Sequence, residues 1–242
     1  MSNVYLVRHG QAGTRDAYDS LSELGKRQAR LLGEYFVSRG IQFSSACTGE
    51  LLRQQQTAEE INAAYLDAGV HLPAISVDPG WNEFDLGQVY REIAPQLGVE
   101  DLEFRREYQE MCEEARANAG SSAAPVHRKW RPCDTKLVDA WIRGRYAYSG
   151  ETWSQFRERV AACQLKMDGK QQHENVLVVT SATPIAIWIG MSLDIFDERV
   201  MRLAGASFNA SYTILGLREA QLRLFTFNAV PHLAAPGLCT RR

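Results

Sequence analysis

The chain has 242 residues, 45% of them hydrophobic, with 27 Lys and Arg against 29 Asp and Glu for a formal net charge of -2. That is enough apolar chain to bury a core as one domain, with or without an insertion, and the near-neutral balance gives no general electrostatic case for nucleic acid or an anionic membrane, which calls for a concentrated basic patch. No stretch is apolar for long enough to span a bilayer, and the five cysteines (Cys47, Cys112, Cys133, Cys163 and Cys239) are an odd number without a CxxC pair, which indicates neither a disulfide framework nor a zinc site.

The N-terminus lacks the basic, apolar and small-residue succession of a secretory signal, so the mature chain is expected to start at its first strand, as a cytoplasmic protein with free thiols. That strand is Val4-Tyr5-Leu6-Val7, which gives way to a loop at Arg8-His9-Gly10. A neutral imidazole is a nucleophile, a guanidinium binds phosphate oxygens in a fork, and a glycine lets backbone approach closely. The tripeptide alone is a weak signal, because many strands end in a polar turn. Ser22 to Arg39 is predicted as a helix, with Leu24, Gln28, Leu31, Leu32, Tyr35 and Phe36 largely on one face, Ser22 as N-cap and Gly40 as its stop. Phe43 to Thr48 is predicted as a strand, Glu50 to Ala68 as a helix carrying Arg53 in its first turn, and His71 to Val77 as a further strand. This βαβαβ alternation favours a parallel sheet with helices on both faces.

Between Gln88 and Gly150 the alternation fails and charged helical stretches take over, with a loop expected at Ala119-Gly120-Ser121-Ser122. The first part is acidic (Glu100, Asp101, Glu103, Glu107, Glu110, Glu113, Glu114) and the second basic (Arg128, Lys129, Arg131, Lys136, Arg143, Arg145). Most of these charges are expected on solvated helix faces with some ion pairs, while one or two basic residues reaching a pocket is the minority reading. From Asn175 the α/β pattern resumes. Val176 to Val179 suits a buried central strand, Thr183-Pro184 opens a helix apolar nearly all round (Ile185, Trp188, Ile189, Met191), and Ser211 to Leu217 with Leu222 to Phe227 form a hairpin or sheet edge.

Arg8-His9-Gly10-Gln11, Leu21-Ser22-Glu23-Leu24-Gly25, Leu52-Arg53 with Gln56-Thr57-Ala58, Trp81-Asn82-Glu83-Phe84-Asp85-Leu86-Gly87, Gly150-Glu151-Thr152, Phe208-Asn209-Ala210-Ser211, Phe227-Asn228 and His232-Leu233 follow one another along the chain. In residues and order this set resembles the histidine phosphatase superfamily, the phosphoglycerate mutase-like proteins, over most of the chain except roughly residues 90 to 148. The resemblance implies a three-layer α/β/α sandwich with a mostly parallel central sheet, as a single domain over 1–242 with a helical cap insertion at about 88–150. It implies His9 as the nucleophile that forms a phosphohistidine, Arg8 and Arg53 as holders of the phosphoryl oxygens, and Glu83 as proton donor. The electrostatics agree, because two guanidiniums disfavour the imidazolium and keep His9 neutral, while Trp81 and Phe84 could shelter a protonated Glu83. Glu151 is a second candidate acid, explained more simply as a carboxylate at a helix N-terminus.

One departure accompanies these matches. The family's strand normally runs into Ser-His-Gly-Gly, with a second active-site histidine, whereas here it runs into Thr180-Ser181-Ala182-Thr183. Losing a charged donor of about 1.5 to 3 kcal/mol corresponds to roughly ten- to a hundred-fold in rate, so slower catalysis is expected, not none. Ser181 can donate an O–H or cap the helix, and the N–H groups of the Thr183-Pro184 helix start can face an anion. Gly10, Gln11, Thr14, Ser181 and Ala182 are the candidate substrate contacts. His71, His127 and His173 are far apart, no metal or other cofactor is expected, and His232 has a structural role. The sequence thus points to a cofactor-independent hydrolase of small-molecule phosphomonoesters. A mutase-type phosphotransferase and an impaired phosphate-binding protein are the alternatives.

Overall fold

The computed structural model describes residues 2–13, 19–117, 131–167 and 174–241. Thr14, His127, His173, Arg128, Lys129 and the 119–122 loop lie outside the described residues. The chain forms two compact units, one of residues 1–83 with 159–242, the other of residues 84–158.

The first unit holds a six-stranded sheet of order β3-β2-β4-β1-β5-β6. Its strands are β1 (Ser2–Arg8), β2 (Ser45–Thr48), β3 (Ile75–Val77), β4 (Asn175–Thr180), β5 (Tyr212–Arg218) and β6 (Gln221–Ala229). The pairs β1–β4, β2–β4 and β2–β3 are parallel, while β1–β5 and β5–β6 are antiparallel, so the sheet is mixed with a parallel half. Period-two alternation sorts its two faces. Tyr5, Val7, Leu177 and Val179 pack with Leu32, Phe36, Ala58, Ile61 and Tyr65 of helices α1 (Glu23–Ser38) and α2 (Leu52–Asp67). Val4, Leu6, Val176 and Val178 alternate with them and are equally buried. Helices α1 and α2 touch closely at Gly33, where a Cβ would come within 2.7 Å of the Ala64 Cβ. The predicted ends of α1 are found, since Ser22 Oγ accepts from the Gly25 N–H at 3.0 Å and Gly40 takes a left-handed φ of 63°.

The unit also contains α7 (Ala182–Leu193) and α8 (Asp197–Ala206). Thr183 through Gly190 are all buried, as expected for a helix apolar nearly all round. Trp188 anchors α7, with its Nε1–H donating to Val160 O at 3.0 Å and its ring 5.0 Å from that of Trp81. The hairpin expected near the C-terminus is the β5–β6 pair.

The second unit contains α3 (Leu86–Glu100), α4 (Leu102–Ala117), α5 (Pro132–Ile142) and most of α6 (Trp153–Ala162). The Phe84 and Trp141 rings stack at 4.6 Å, with Phe156 5.7 Å from Phe84 and Trp153 5.5 Å from Trp141. Its opposite charges meet, as Lys136 contacts Asp101 and Glu103 at 2.8 Å each and Arg131 pairs with Glu114. These pairings fit solvated helix faces with some ion pairs, and exposed pairs of this kind add little stability.

Candidate active site

The C-terminal ends of β1 and β4, parallel neighbours in the sheet, bring two of the predicted segments together. In register Arg8 faces Thr180, and the His9 N–H donates to Thr180 O at 2.9 Å, so His9 and Ser181 leave the sheet side by side. Crevices outside the carboxyl ends of parallel strands are where open α/β sheets bind ligands. At these strand ends Arg8 (5% exposed), His9 (8%) and Ser181 (1%) are buried, as is Arg53 (9%) in the first turn of α2.

The His9 ring is oriented by its own chain, since Nδ1 lies 2.7 Å from Gly10 O. A carbonyl oxygen only accepts, so Nδ1 carries the proton and the lone pair of the neutral ring sits on Nε2. The loop behind it is tightly built. The Gly10 N–H donates to Thr57 Oγ1 at 3.0 Å, and Thr57 donates in turn to Arg53 O at 2.7 Å, which ties the histidine loop to the arginine helix. A Cβ on Gly10 would lie 2.4 Å from Gly25 O, and one on Gly25 would lie 2.1 Å from Gln11 O, so backbone meets backbone at both positions. The Gln11 amide oxygen accepts from Ser22 Oγ at 2.8 Å and its N–H donates to Gln28 Oε1 at 2.9 Å, which engages this predicted substrate contact with the start of α1.

Both arginines are held. Arg8 Nη1 donates to Ser207 O at 2.5 Å. Arg53 Nη1 donates to Asp19 Oδ1 at 2.7 Å, and Asp19 Oδ2 accepts from the Leu52 N–H at 3.0 Å. One carboxylate therefore caps α2, whose N-cap Leu51 has no side chain to do so, and fixes the guanidinium two residues on. Nothing local in the sequence marks Asp19, because its partner lies 34 residues away.

The Thr183 N–H, one of the α7 donors expected to face an anion, donates to the Glu83 carboxyl group, at 3.1 Å from Oε2. The first turn of α7 thus orients the candidate acid. Ser181 is the backbone N-cap of α7 yet its side chain makes no capping bond, which removes the helix-capping explanation for the serine. Its oxygen accepts from Gln54 Nε2 at 2.9 Å. Ala182, the first residue of α7, is half-buried. Gln54 has a place here that the sequence reading, with Arg53 in view, did not give it. Glu151 belongs to the second unit, where its carbonyl accepts from Trp141 Nε1 at 3.2 Å. Among the described residues no three His, Cys, Asp or Glu side chains gather as a metal site.

His232 lies beyond β6, its ring 6.3 Å from that of Tyr35, and burial pushes its pKa down to about 4 against a smaller opposing pull from the Ala210 backbone. It is a half-buried histidine held neutral by the loss of solvent around its ring.

Comparison with known proteins places the chain in a family and a fold. The chain is 28% identical over 128 residues to the mitochondrial serine/threonine-protein phosphatase Pgam5 of Drosophila ananassae, covering 47% of this chain and 44% of that protein, and 26% identical over 103 residues to its Caenorhabditis elegans counterpart. It therefore spans less than half the length of these relatives. Among solved structures, YhfR of Bacillus stearothermophilus superposes with a TM-score of 0.62 at 18% identity, over 96% of this chain and 99% of that one. A phosphoserine phosphatase mutant of Entamoeba histolytica in complex with phosphoserine gives 0.60 at 15% identity, over 96% and 100%. Mycobacterial glucosyl-3-phosphoglycerate phosphatase with VO3 gives 0.58 at 20%, over 95% and 100%. These structures share the fold. The model of the histidine phosphatase superfamily, branch 1, matches residues 4–141 and 134–230, and the chain belongs to that superfamily.

Proposed function

We propose that the protein is a phosphomonoester hydrolase that works through a phosphohistidine on His9. The observation that carries this reading is the Nδ1 to Gly10 O hydrogen bond, which reserves Nε2 of a buried histidine, flanked by Arg8 and Arg53, for attack. Nε2 forms a bond to phosphorus while the ester P–O bond breaks, and the leaving oxygen takes a proton from Glu83. Water then attacks the phosphorus, the P–N bond breaks and returns its electron pair to Nε2, and the Glu83 carboxylate takes the proton of the water. Arg8 and Arg53 stabilise the equatorial oxygens throughout and Ser181 completes the cradle, while Gly10 and Gln11, whose N–H groups are bonded to Thr57 and Gln28, hold the histidine loop in place. No metal or other cofactor takes part. The second histidine of the family has its counterpart in Ser181, a neutral donor, so turnover is slower than a two-histidine site would give.

The substrate is a small phosphorylated metabolite. The structural neighbours include a complex with phosphoserine, which supports this class. We place the protein in the cytoplasm, although the named relatives are mitochondrial, and fractionation with a tagged chain separates the two. We also read residues 84–158 as an insertion into the phosphatase domain, since the chain leaves the first unit there and returns to it. The test of the activity is a phosphate-release screen across phosphoserine, sugar phosphates and phosphoglycerates. Release by wild type and not by His9→Ala is expected, and equal inertness of both would overturn the reading.

A further inference from the structure

We infer that Gln54 is a positioning residue that turns the Ser181 hydroxyl proton outward, as a dedicated neutral donor to a phosphoryl oxygen. This rests on the phosphoryl site proposed above. Gln54 follows Arg53 in α2 and its side chain is completely buried. Its Nε2 lies 3.2 Å from Trp81 O and 2.9 Å from Ser181 Oγ. Trp81 O is a carbonyl that already accepts the Thr180 hydroxyl at 2.6 Å, so only an N–H can face it. The amide therefore has one permitted orientation, in which Nε2 donates to Ser181 and fills a lone pair of its oxygen.

The consequence falls on the serine proton. Ser181 Oγ does not cap α7, whose Thr183 N–H belongs to Glu83, and among the described residues no acceptor takes its hydroxyl hydrogen. A buried hydroxyl that accepts on one side is left with a donor on the other. Ser181 leaves the sheet beside His9, whose N–H is bonded to the preceding residue's carbonyl, so that donor belongs where an oxyanion would sit.

Gln54 keeps this orientation at a cost. Its Oε1 has no hydrogen-bond partner among the described residues and lies against Gly49, where a Cβ would come within 2.0 Å of it. A fully buried acceptor left unsatisfied is uncommon and asks for a functional reason. An apolar side chain of similar length would fill the same volume without that cost.

A double-mutant cycle tests this with Gln54→Met, Ser181→Ala and both together. Affinity for inorganic phosphate is read by calorimetry and kcat/KM by phosphate release from an aryl phosphate. Each single change is expected to lower both by about tenfold, the size of one hydrogen bond to a charged group, with the double variant no worse than Ser181→Ala. Gly49→Ala, which displaces the amide without replacing it, is a second route to the same loss. Additive effects, or unchanged phosphate affinity with only a lower melting temperature, would overturn the inference, as would a wild type that binds no phosphate. A wild type that binds phosphate but releases none from esters defeats the hydrolase reading alone, since the affinity cycle needs no turnover.

Discussion

At the scale of single residues, the histidine and its arginines were readable because their motif is contiguous, whereas Gln54 and Asp19 act through partners distant in sequence. Gln54 meets Ser181 across 127 positions, and no window of local sequence signals such a contact. The structure changed the reading of Ser181 for the same reason, since capping is a local expectation and its actual partner is not. The role proposed for Glu83 predicts that Glu83→Gln loses about 10²- to 10⁴-fold in kcat while phosphate affinity changes little, because the amide keeps the acceptor for the Thr183 N–H but has no proton to give. Equal loss in kcat and phosphate affinity, from steady-state kinetics and calorimetry, would assign Glu83 to binding. Gly25→Ala probes the glycine contact behind His9. With a Cβ 2.1 Å from a backbone oxygen, it is expected to cost about 1 to 3 kcal/mol in urea unfolding and to displace Gln11 together with the histidine loop.

Elements were predicted best where apolar periodicity ran long. The helices α1 and α2, the buried strand β4 and the β5–β6 hairpin occur where the pattern put them, with α2 starting at Leu52 instead of Glu50. The third strand is shorter than the predicted His71 to Val77, beginning at Ile75. Pro73 has no N–H to give a ladder, so pairing with β2 starts only beyond it. Helix α8 is not legible in the sequence, because ten residues carrying two buried positions, Val200 and Ala204, give a weak period. The N-terminus of α2 supplies a prediction of its own. Asp19→Ala removes the only side-chain cap on Leu52 and the partner of Arg53 among the bonds described above, and should cost about 1 kcal/mol in stability while raising KM for a phosphomonoester. The half-exposed carboxylate keeps the stability loss small. Unchanged KM in Asp19→Ala would show that Arg53 needs no such support.

At the scale of the molecule, the alternation of elements carries the α/β class and the parallel half of the sheet, while the antiparallel β1–β5 and β5–β6 pairs make the sheet mixed where a mostly parallel one is expected, and the charged stretches pair within the second unit. The half-buried His232 ties global stability to pH. Its folded pKa of about 4 lies below the ordinary histidine value of 6.5, so the unfolded chain binds a proton the folded one refuses. Above pH 6.5 His232 carries no penalty, and between 6.5 and 4 stability falls as the unfolded state protonates. Urea unfolding should show a contribution of about 2 kcal/mol lost between pH 7.5 and pH 5, absent in His232→Phe. A wild type and His232→Phe that decline equally with pH would place the sensitivity elsewhere.

The proposed activity depends on a covalent bond between phosphorus and His9, and that bond can be observed directly. Rapid alkaline quench of the enzyme during turnover of a phosphomonoester, followed by mass spectrometry of the peptide containing Arg8-His9-Gly10, should find one added phosphoryl group on His9 that is lost on acid treatment. Turnover with that peptide unmodified at every quench time, or with the phosphoryl group on another residue, would contradict it.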